Sequence, residues 1–381
     1  KEEYDGAVDA FRRVIELDPN NVKINANNLN DAKAHVRIGN LLFLKKEYRL
    51  AEAAFRRSIA IDQNYANAHD HLGALLYEID TDTARAEAAF RRCIDIDPNQ
   101  DPATAQYNLG VLLEDKQDYD GAVAAFRCVV EIDPNDAIVH NNIGRLLHKY
   151  KGDFNGAEQA YRRALRVPNR LNSVDATVHN NLGLLLHKHN NDFRGAEQAY
   201  RRVIEIDPNN AAVHNNLGNV LERLGDVGGA EQAYRRVIEI DPNNVKAHNN
   251  LGIVLRNKGD KAGAEQAYRR AININPNYAS IHYNLGALLE GLKDVAGAEE
   301  AYRRTIEIDP NNADFHDDLG KLLYANKDMA GTEEAYRAAT NIKKPTYSAF
   351  NNLGKLLYDK NDMVGAEEAY RRTIEIKPNS T

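Results

Sequence analysis

A Leu-Gly or Ile-Gly dipeptide returns ten times in one register, with its glycine at Gly39, Gly73, Gly110, Gly144, Gly183, Gly218, Gly252, Gly286, Gly320 and Gly354. Six of the nine intervals are 34 residues long. A fixed period of this size specifies stacked supersecondary units, each too small to bury its own apolar face. The 381 residues are therefore read as one array rather than as two or three globular domains.

Residues 211–244 show what one unit contains. Val213, Leu217, Val220, Leu221 and Leu224 recur at spacings of three and four, an apolar stripe on a first helix of about three turns. Gly218 interrupts that stripe at a cost of about 1 kcal/mol against alanine, so its return in every unit implies a close approach by a neighbouring helix. Gly225-Asp226 ends the first pattern, and Ala230, Ala233, Tyr234, Val237, Ile238 and Ile240 form the stripe of a second helix. Asp241-Pro242-Asn243-Asn244 stops it, because proline removes a backbone donor and restricts the residue before it. Short loops force the two helices antiparallel, and the apolar surface left over must be buried by the next hairpin. Residues 195–210 and 229–244 are identical, so neighbouring units bury nearly equivalent interfaces.

The placement of Leu217, Gly218, Ala230, Tyr234 and Pro242 resembles the tetratricopeptide repeat, and the match recurs ten times over almost the whole chain. One departure is systematic. Where that family often has a tryptophan or another bulky residue four positions before the glycine, this chain has His35, His69, His140, His179, His214, His248, His282 and His316, and it contains no tryptophan. The resemblance implies an all-α fold, a right-handed α-solenoid of antiparallel helix-turn-helix units. Residues 32–381 are expected to form ten units in one solenoid, after an orphan second helix at 1–20 and an asparagine-rich insertion at 21–31. Further insertions fall near Thr81–Thr83, at Gln100–Pro102 and around residues 167–172, with one extra residue before Phe154 and another before Phe193. All sit at hairpin junctions and leave the core pattern intact. The helix expected at 366–377 has no polar closing helix after it, so the ends either continue into more protein or meet other subunits.

The resemblance also implies a concave groove lined by first helices, at positions six, three and two before the glycine and one, four and five after it. Two before the glycine stand Asn108, Asn142, Asn181, Asn216, Asn250, Asn284 and Asn352, with Arg37, His71 and Asp318 at the equivalent places. This asparagine ladder is similar to those of the O-linked N-acetylglucosamine transferases and kinesin light chains. An amide offers both donor and acceptor, so each rung can pair with the backbone of an extended peptide whatever its side chains. The alternative is a solvated polar face whose amides bond to adjacent turns or helices. Charge divides the expected groove: Arg145, Lys149, Lys188, Arg223, Lys246 and Arg256 oppose Glu222 alone, whereas Glu290, Asp314, Asp317 and Asp318 follow, with Lys321 as the exception. Such sectors would favour an acidic peptide segment in the middle and a basic one in the last third, or serve only solubility.

Other chemistry is not indicated. The repeated histidines hold one structural position, and His148 and His187, expected to face the groove, have no third ligand at metal spacing, so no metal is expected. Arg201-Arg202 and Arg235-Arg236 lie four residues from glutamates on either side, Glu197 and Glu205, Glu231 and Glu239, which reads as intrahelical ion pairing rather than a phosphate-binding stripe. No nucleotide loop, metalloprotease motif, nucleophile elbow or dinucleotide fingerprint occurs, so neither catalysis nor a cofactor is expected. A net charge of −7, with both signs in every repeat, disfavours nucleic acid. Cys93 and Cys128 lack metal-ligand spacing and read as reduced thiols, and no apolar run is long enough to span a membrane. A cytoplasmic location is the expectation, with secretion left open. The leading reading is a non-enzymatic scaffold that binds an extended segment of another protein. Two alternatives are a head-to-tail filament joined through uncapped ends and the substrate-selecting arm of a larger enzyme.

Overall fold

Each period folds as two helices whose junctions are fixed by side chains close by in sequence. The computed structural model describes residues 29–79, 83–96, 102–168 and 172–377, together with Gly6. Among these residues there are twenty α-helices, two short π-helical turns and no strand. The orphan helix at 1–20 lies outside the described residues apart from Gly6, and so does most of the 21–31 insertion, whose last three residues open the first helix. The insertions at 81–83, 100–102 and 167–172 fall largely outside them as well.

The chain divides into two units, residues 1–192 and 193–381. The first contains α1 (Leu29–Leu44), α2 (Tyr48–Ile61), α3 (Ala66–Ile79), α4 (Thr83–Ile96), α5 (Ala103–Asp115), α6 (Tyr119–Ile132), α7 (Ala137–Leu146), α8 (Phe154–Arg166) and α9 (Asn172–Leu185). The pairs α1–α2, α3–α4, α5–α6 and α7–α8 form hairpins, and α9 packs on α8. The second unit contains α10 (Phe193–Ile206), α11 (Ala211–Leu224), α12 (Val227–Ile240), α13 (Val245–Lys258), α14 (Lys261–Ile274), α15 (Ala279–Gly291), α16 (Val295–Ile308), α17 (Ala313–Ala325), α18 (Met329–Thr340), α19 (Tyr347–Asp359) and α20 (Met363–Ile376). Here α10 packs on α11, and the five hairpins run from α11–α12 to α19–α20. Both units are all-α solenoids built from one motif.

The recurrent glycine makes room for an aromatic ring. A Cβ added at Gly39, Gly73, Gly110, Gly144, Gly218, Gly252, Gly286, Gly320 or Gly354 would lie 2.4–2.9 Å from a ring carbon of Phe55, Phe90, Phe126, Tyr161, Tyr234, Tyr268, Tyr302, Tyr336 or Tyr370 respectively. The ring rests against the first helix where only glycine permits it, and burying it stabilises each hairpin by roughly 2–3 kcal/mol. The expected close approach is thus made by a side chain of the second helix.

A left-handed residue closes the hairpins whose turns are described, as at Gly225 (φ 80°), Gly259 (φ 89°) and Lys327 (φ 65°), and an acidic residue follows it. Asp118, Asp153, Asp226, Asp260, Asp294, Asp328 and Asp362 cap the second helix, each Oδ1 accepting the backbone N–H of the glycine three residues on at 2.9–3.1 Å. Such caps are worth about 1 kcal/mol each. A Cβ on the capped glycine would stand 2.3–2.6 Å from the aspartate carboxylate, which accounts for this second recurrent glycine. The single extra residues before Phe154 and Phe193 are absorbed by π turns at Leu147–Lys151 and Leu186–Asn190.

In the turn between hairpins, every residue is engaged. Asp241 Oδ1 accepts the Asn243 N–H at 3.2 Å, and Asn244 caps α13 by accepting the Ala247 N–H at 3.1 Å. Asn243 Oδ1 accepts Arg270 Nη2 at 3.3 Å, and His248 Nε2 donates to the Pro242 carbonyl at 3.0 Å. The same histidine latch recurs at His140, His214, His282 and His316, on the carbonyls of Pro134, Pro208, Pro276 and Pro310. A carbonyl only accepts, so Nε2 carries the proton. The histidine therefore ties the turn to the helix that follows it, beyond filling the space of a bulky residue.

Gly252→Ala is expected to destabilise the chain by about 1–3 kcal/mol through overpacking against Tyr268, outweighing the gain of about 1 kcal/mol in helix propensity. A lower urea midpoint would show it. An unchanged or higher midpoint would mean that the ring contact does not select glycine.

Candidate functional site

Side-chain bonds two residues before the glycine lace one first helix to the next. In the second unit, Asn250 Nδ2 of α13 is 3.4 Å from Asn215 Oδ1 and 3.3 Å from Asn219 Oδ1 of α11. Asn284 Nδ2 of α15 donates to Asn249 Oδ1 of α13 at 2.9 Å, and Asn352 Nδ2 of α19 donates to Asp317 Oδ1 of α17 at 2.8 Å. In the first unit, Asn108 Nδ2 donates to Asp70 at 3.2 Å and Asn181 Nδ2 to Asn141 at 3.0 Å. Asn142 and Asn216 occupy the same register, and all seven rungs are half-buried. At Asn108, Asn181, Asn284 and Asn352 one amide N–H is engaged by the neighbouring helix, which leaves the second N–H and the carbonyl oxygen; Asn250 Nδ2 instead reaches two acceptors, and its Oδ1 accepts Asn249 Nδ2 at 3.4 Å.

The charged positions differ in what they have left to offer. Arg145 forms a two-pronged ion pair with Glu114 of the preceding first helix, which cancels much of its charge. Lys149 and Lys188 are exposed, with Lys149 Nζ 4.9 Å from the Tyr150 ring centroid. Arg223 lies over Phe193 at 5.2 Å, Lys246 is exposed and Arg256 is half-buried. Glu222 accepts the Tyr234 hydroxyl at 2.5 Å; burial pushes its pKa up while that bond pulls it down. Glu290 accepts the Tyr302 hydroxyl at 2.8 Å. Asp314 is exposed, but Asp317 is 1% exposed and bonded to Asn352, Ser348 and Lys321. Asp318 accepts Tyr283 at 2.7 Å and Lys321 at 2.8 Å. Burial works against the Lys321 charge, but bonds to both aspartates carry its pKa above the ordinary range. Asp317 and Asp318 are thus compensated within the protein.

On the second helices, Arg201 and Arg235 pair with Glu197 and Glu231 four residues earlier at 2.7 and 2.9 Å. Arg202 and Arg236 pair with Glu205 and Glu239 three residues on, so the later glutamates serve the second arginine of each pair. Lys258 from the next hairpin adds a 2.6 Å bond to Glu231 and, with Arg235, holds that carboxyl below its ordinary pKa.

The π turns create a cluster that helical periodicity did not indicate. His189 stacks on Phe154 with centroids 4.0 Å apart and meets His148 edge-on at 5.1 Å, and Tyr119 stacks on Tyr150 at 4.0 Å. Among the described residues no group of three or more histidine, cysteine or acidic side chains could hold a metal ion, and no helix is long and apolar enough to cross a membrane. Cys93 and Cys128 are not joined in a disulfide.

Hairpins of glycine-seated aromatics, each second helix packed on the next first helix, define a helical-repeat protein. The tetratricopeptide-repeat model matches residues 1–66, 74–137, 146–211, 189–245, 215–279, 249–313, 283–348 and 318–381, and the chain belongs to that family. It is a protein-interaction scaffold. No curated protein matches the chain. Among solved structures, the C-terminal part of a TPR repeat-containing protein from Cytophaga hutchinsonii aligns with a TM-score of 0.56 and 18% identity over 66% of this chain and 99% of its own, a likeness of fold. The Pseudomonas aeruginosa PilF structure aligns with a TM-score of 0.46 and 20% identity over 55% of this chain and 95% of its own.

Burial holds His69, His71 and His148 below the usual imidazole pKa; Arg92 at His69 and Lys188 at His148 act the same way, while the Gln63 carbonyl at His69 and Asp70 at His71 oppose it. Unfolded histidines bind protons below about pH 6.5, so this stability is complete above that value and is lost as pH falls toward the depressed folded values. The thermal midpoint is expected to drop between about pH 7.5 and 5.5, with a shallower drop when all three are replaced by glutamine. Parallel pH profiles for the two proteins by circular dichroism would overturn this.

Proposed function

We propose that the first-helix face binds an extended segment of another protein, with the asparagine rungs holding its backbone and the remaining charges choosing its sequence. The observation that carries this reading is the lacing of the rungs. Asn284 has one N–H engaged by the preceding first helix and Asn250 Nδ2 reaches two acceptors there, so both amides are oriented before a ligand arrives. Pre-orientation lowers the ordering cost of binding. Packed helices lie about 9 Å apart, close to the length of three residues of extended chain, so one rung per three peptide residues fits the geometry. Of the expected basic sector, Lys149, Lys188, Lys246 and Arg256 have no ion pair with the chain's own carboxylates within the described residues, and they favour an acidic segment. Of the expected acidic sector, Asp314 and Glu290 remain for a basic one.

An acidic decapeptide is expected to bind Asn216→Ala/Asn250→Ala at least tenfold more weakly than the wild type, about 1.4 kcal/mol, and a peptide of scrambled sequence with the same charge is expected to lose as much. Unchanged affinity in the double variant would sink the ladder mechanism.

A second reading, head-to-tail self-association, rests on α20, where Ile374 and Ile376 are 62% and 45% exposed although the equivalent Ile306 and Ile308 of α16 are half-buried. In the hairpins before it, the second helix is packed against the following first helix. A second copy of the chain could supply such a helix. Sedimentation velocity is expected to show concentration-dependent growth that Ile374→Lys suppresses; one concentration-independent monomer peak would remove the reading.

A further inference from the structure

The tyrosine seated on the glycine also reaches beyond it. In α11–α12, Tyr234 Oη passes Gly218 and donates to Glu222 Oε1 at 2.5 Å, with Asn219 Oδ1 at 2.6 Å. In α15–α16, Tyr302 Oη donates to Glu290 Oε2 at 2.8 Å. Glu222 and Glu290 each stand four residues after the glycine of their hairpin. A buried phenol is thus satisfied by a carboxylate at one fixed place in the repeat.

The hairpin between them, α13–α14, breaks this arrangement. Tyr268 is 0% exposed and seated on Gly252, where an added Cβ would lie 2.5 Å from its ring. One residue after that glycine stands Ile253, and four after it stands Arg256. The Tyr268 hydroxyl is buried with no hydrogen-bond partner, and no carboxylate of the described residues pairs with Arg256. Phenylalanine fills the same seat at Phe55, Phe90 and Phe126, so packing alone does not call for a hydroxyl. Tyr200 carries the only other such orphan hydroxyl among the described residues. Buried polar groups are normally bonded, so an orphan hydroxyl is open to an acceptor from outside the fold.

We infer that Tyr268 and Arg256 form a subsite for a carboxylate carried by an acidic side chain of the bound segment. The inference rests on the peptide-binding reading above. The ligand supplies in trans what Glu222 and Glu290 supply in cis. The guanidinium offers a planar fork to both carboxylate oxygens, and the phenol adds a third donor. Arg256 acts electrostatically on Tyr268, as does Glu222 from α11 with the opposite sign. Glu222 is held by Tyr234, and Lys246 adds exposed positive charge on the same helix as Arg256.

The test uses the intact chain and Ser/Gly decapeptides with one central Glu, Gln or phosphoserine, followed by fluorescence anisotropy. The wild type is expected to prefer the Glu peptide over the Gln peptide by about tenfold. Tyr268→Phe should cut that preference to about threefold without changing Gln-peptide affinity, and Arg256→Gln should abolish it. Arg256→Glu installs the carboxylate in cis, so it should raise the thermal midpoint above those of the wild type and Arg256→Gln while removing the Glu preference. Equal binding of Glu and Gln peptides, or a preference that survives in both Tyr268→Phe and Arg256→Gln, overturns the subsite and leaves the groove reading standing. A preference confined to phosphoserine reassigns the anion from carboxylate to phosphate. Failure of every peptide to bind overturns the groove reading and the subsite together.

Discussion

The contact between a second-helix aromatic ring and a glycine of the first helix sets the geometry on which the remaining interactions depend. With any larger residue at Gly218, the Tyr234 ring would be pushed away from α11, since a Cβ there already stands 2.6 Å from it. With the ring seated, the two helices are close enough for leucines and alanines on their facing sides to exclude water. The seat is also why a tyrosine hydroxyl can arrive at the far side of the first helix, where Glu222 and Glu290 meet it. A packing device inside the hairpin thereby positions polar chemistry on the surface of the stack.

The junctions bind that device into a series. The turn 241–244 takes bonds from His248 and Arg270 in the next hairpin, while Asp260 starts the second helix of that hairpin. These are individually modest contacts, of about 1 kcal/mol each, and they act by fixing direction more than by adding stability. Their repetition along the chain aligns the first helices closely enough for amides on adjacent helices to meet.

Helix pairing, the glycine register and the intrahelical Arg–Glu pairs were all legible in the sequence, because each depends on residues within one period and on a spacing repeated many times. The histidine latch was visible as a position but not as a role. Its partner is a backbone carbonyl six residues earlier, and a carbonyl has no signature in composition; the constant Pro-to-His spacing of six was the available signal. The aspartate cap was likewise hidden behind Gly225-Asp226 as a simple break, although Asp-x-x-Gly recurs in eight of the ten periods. At the candidate site, the rungs and charges were found by register alone, and register does not show what a side chain has already bonded. Arg145 with Glu114, and Asp317 with Asn352, Ser348 and Lys321, are contacts between periods, settled only when hairpins stack.

The two π turns bear on how such a chain can change length. One residue inserted into an α-helix rotates everything after it by about 100° and would carry the next ring away from its glycine. At Leu147–Lys151 and Leu186–Asn190 the extra residue is taken up within a single widened turn. In the first unit, Tyr161 still finds Gly144 despite the insertion between them. The ends of the first helices therefore act as expansion joints, where the array can gain a residue, and with it a new surface such as the His148–His189–Phe154 cluster, while the hairpin that holds the insertion keeps its seat.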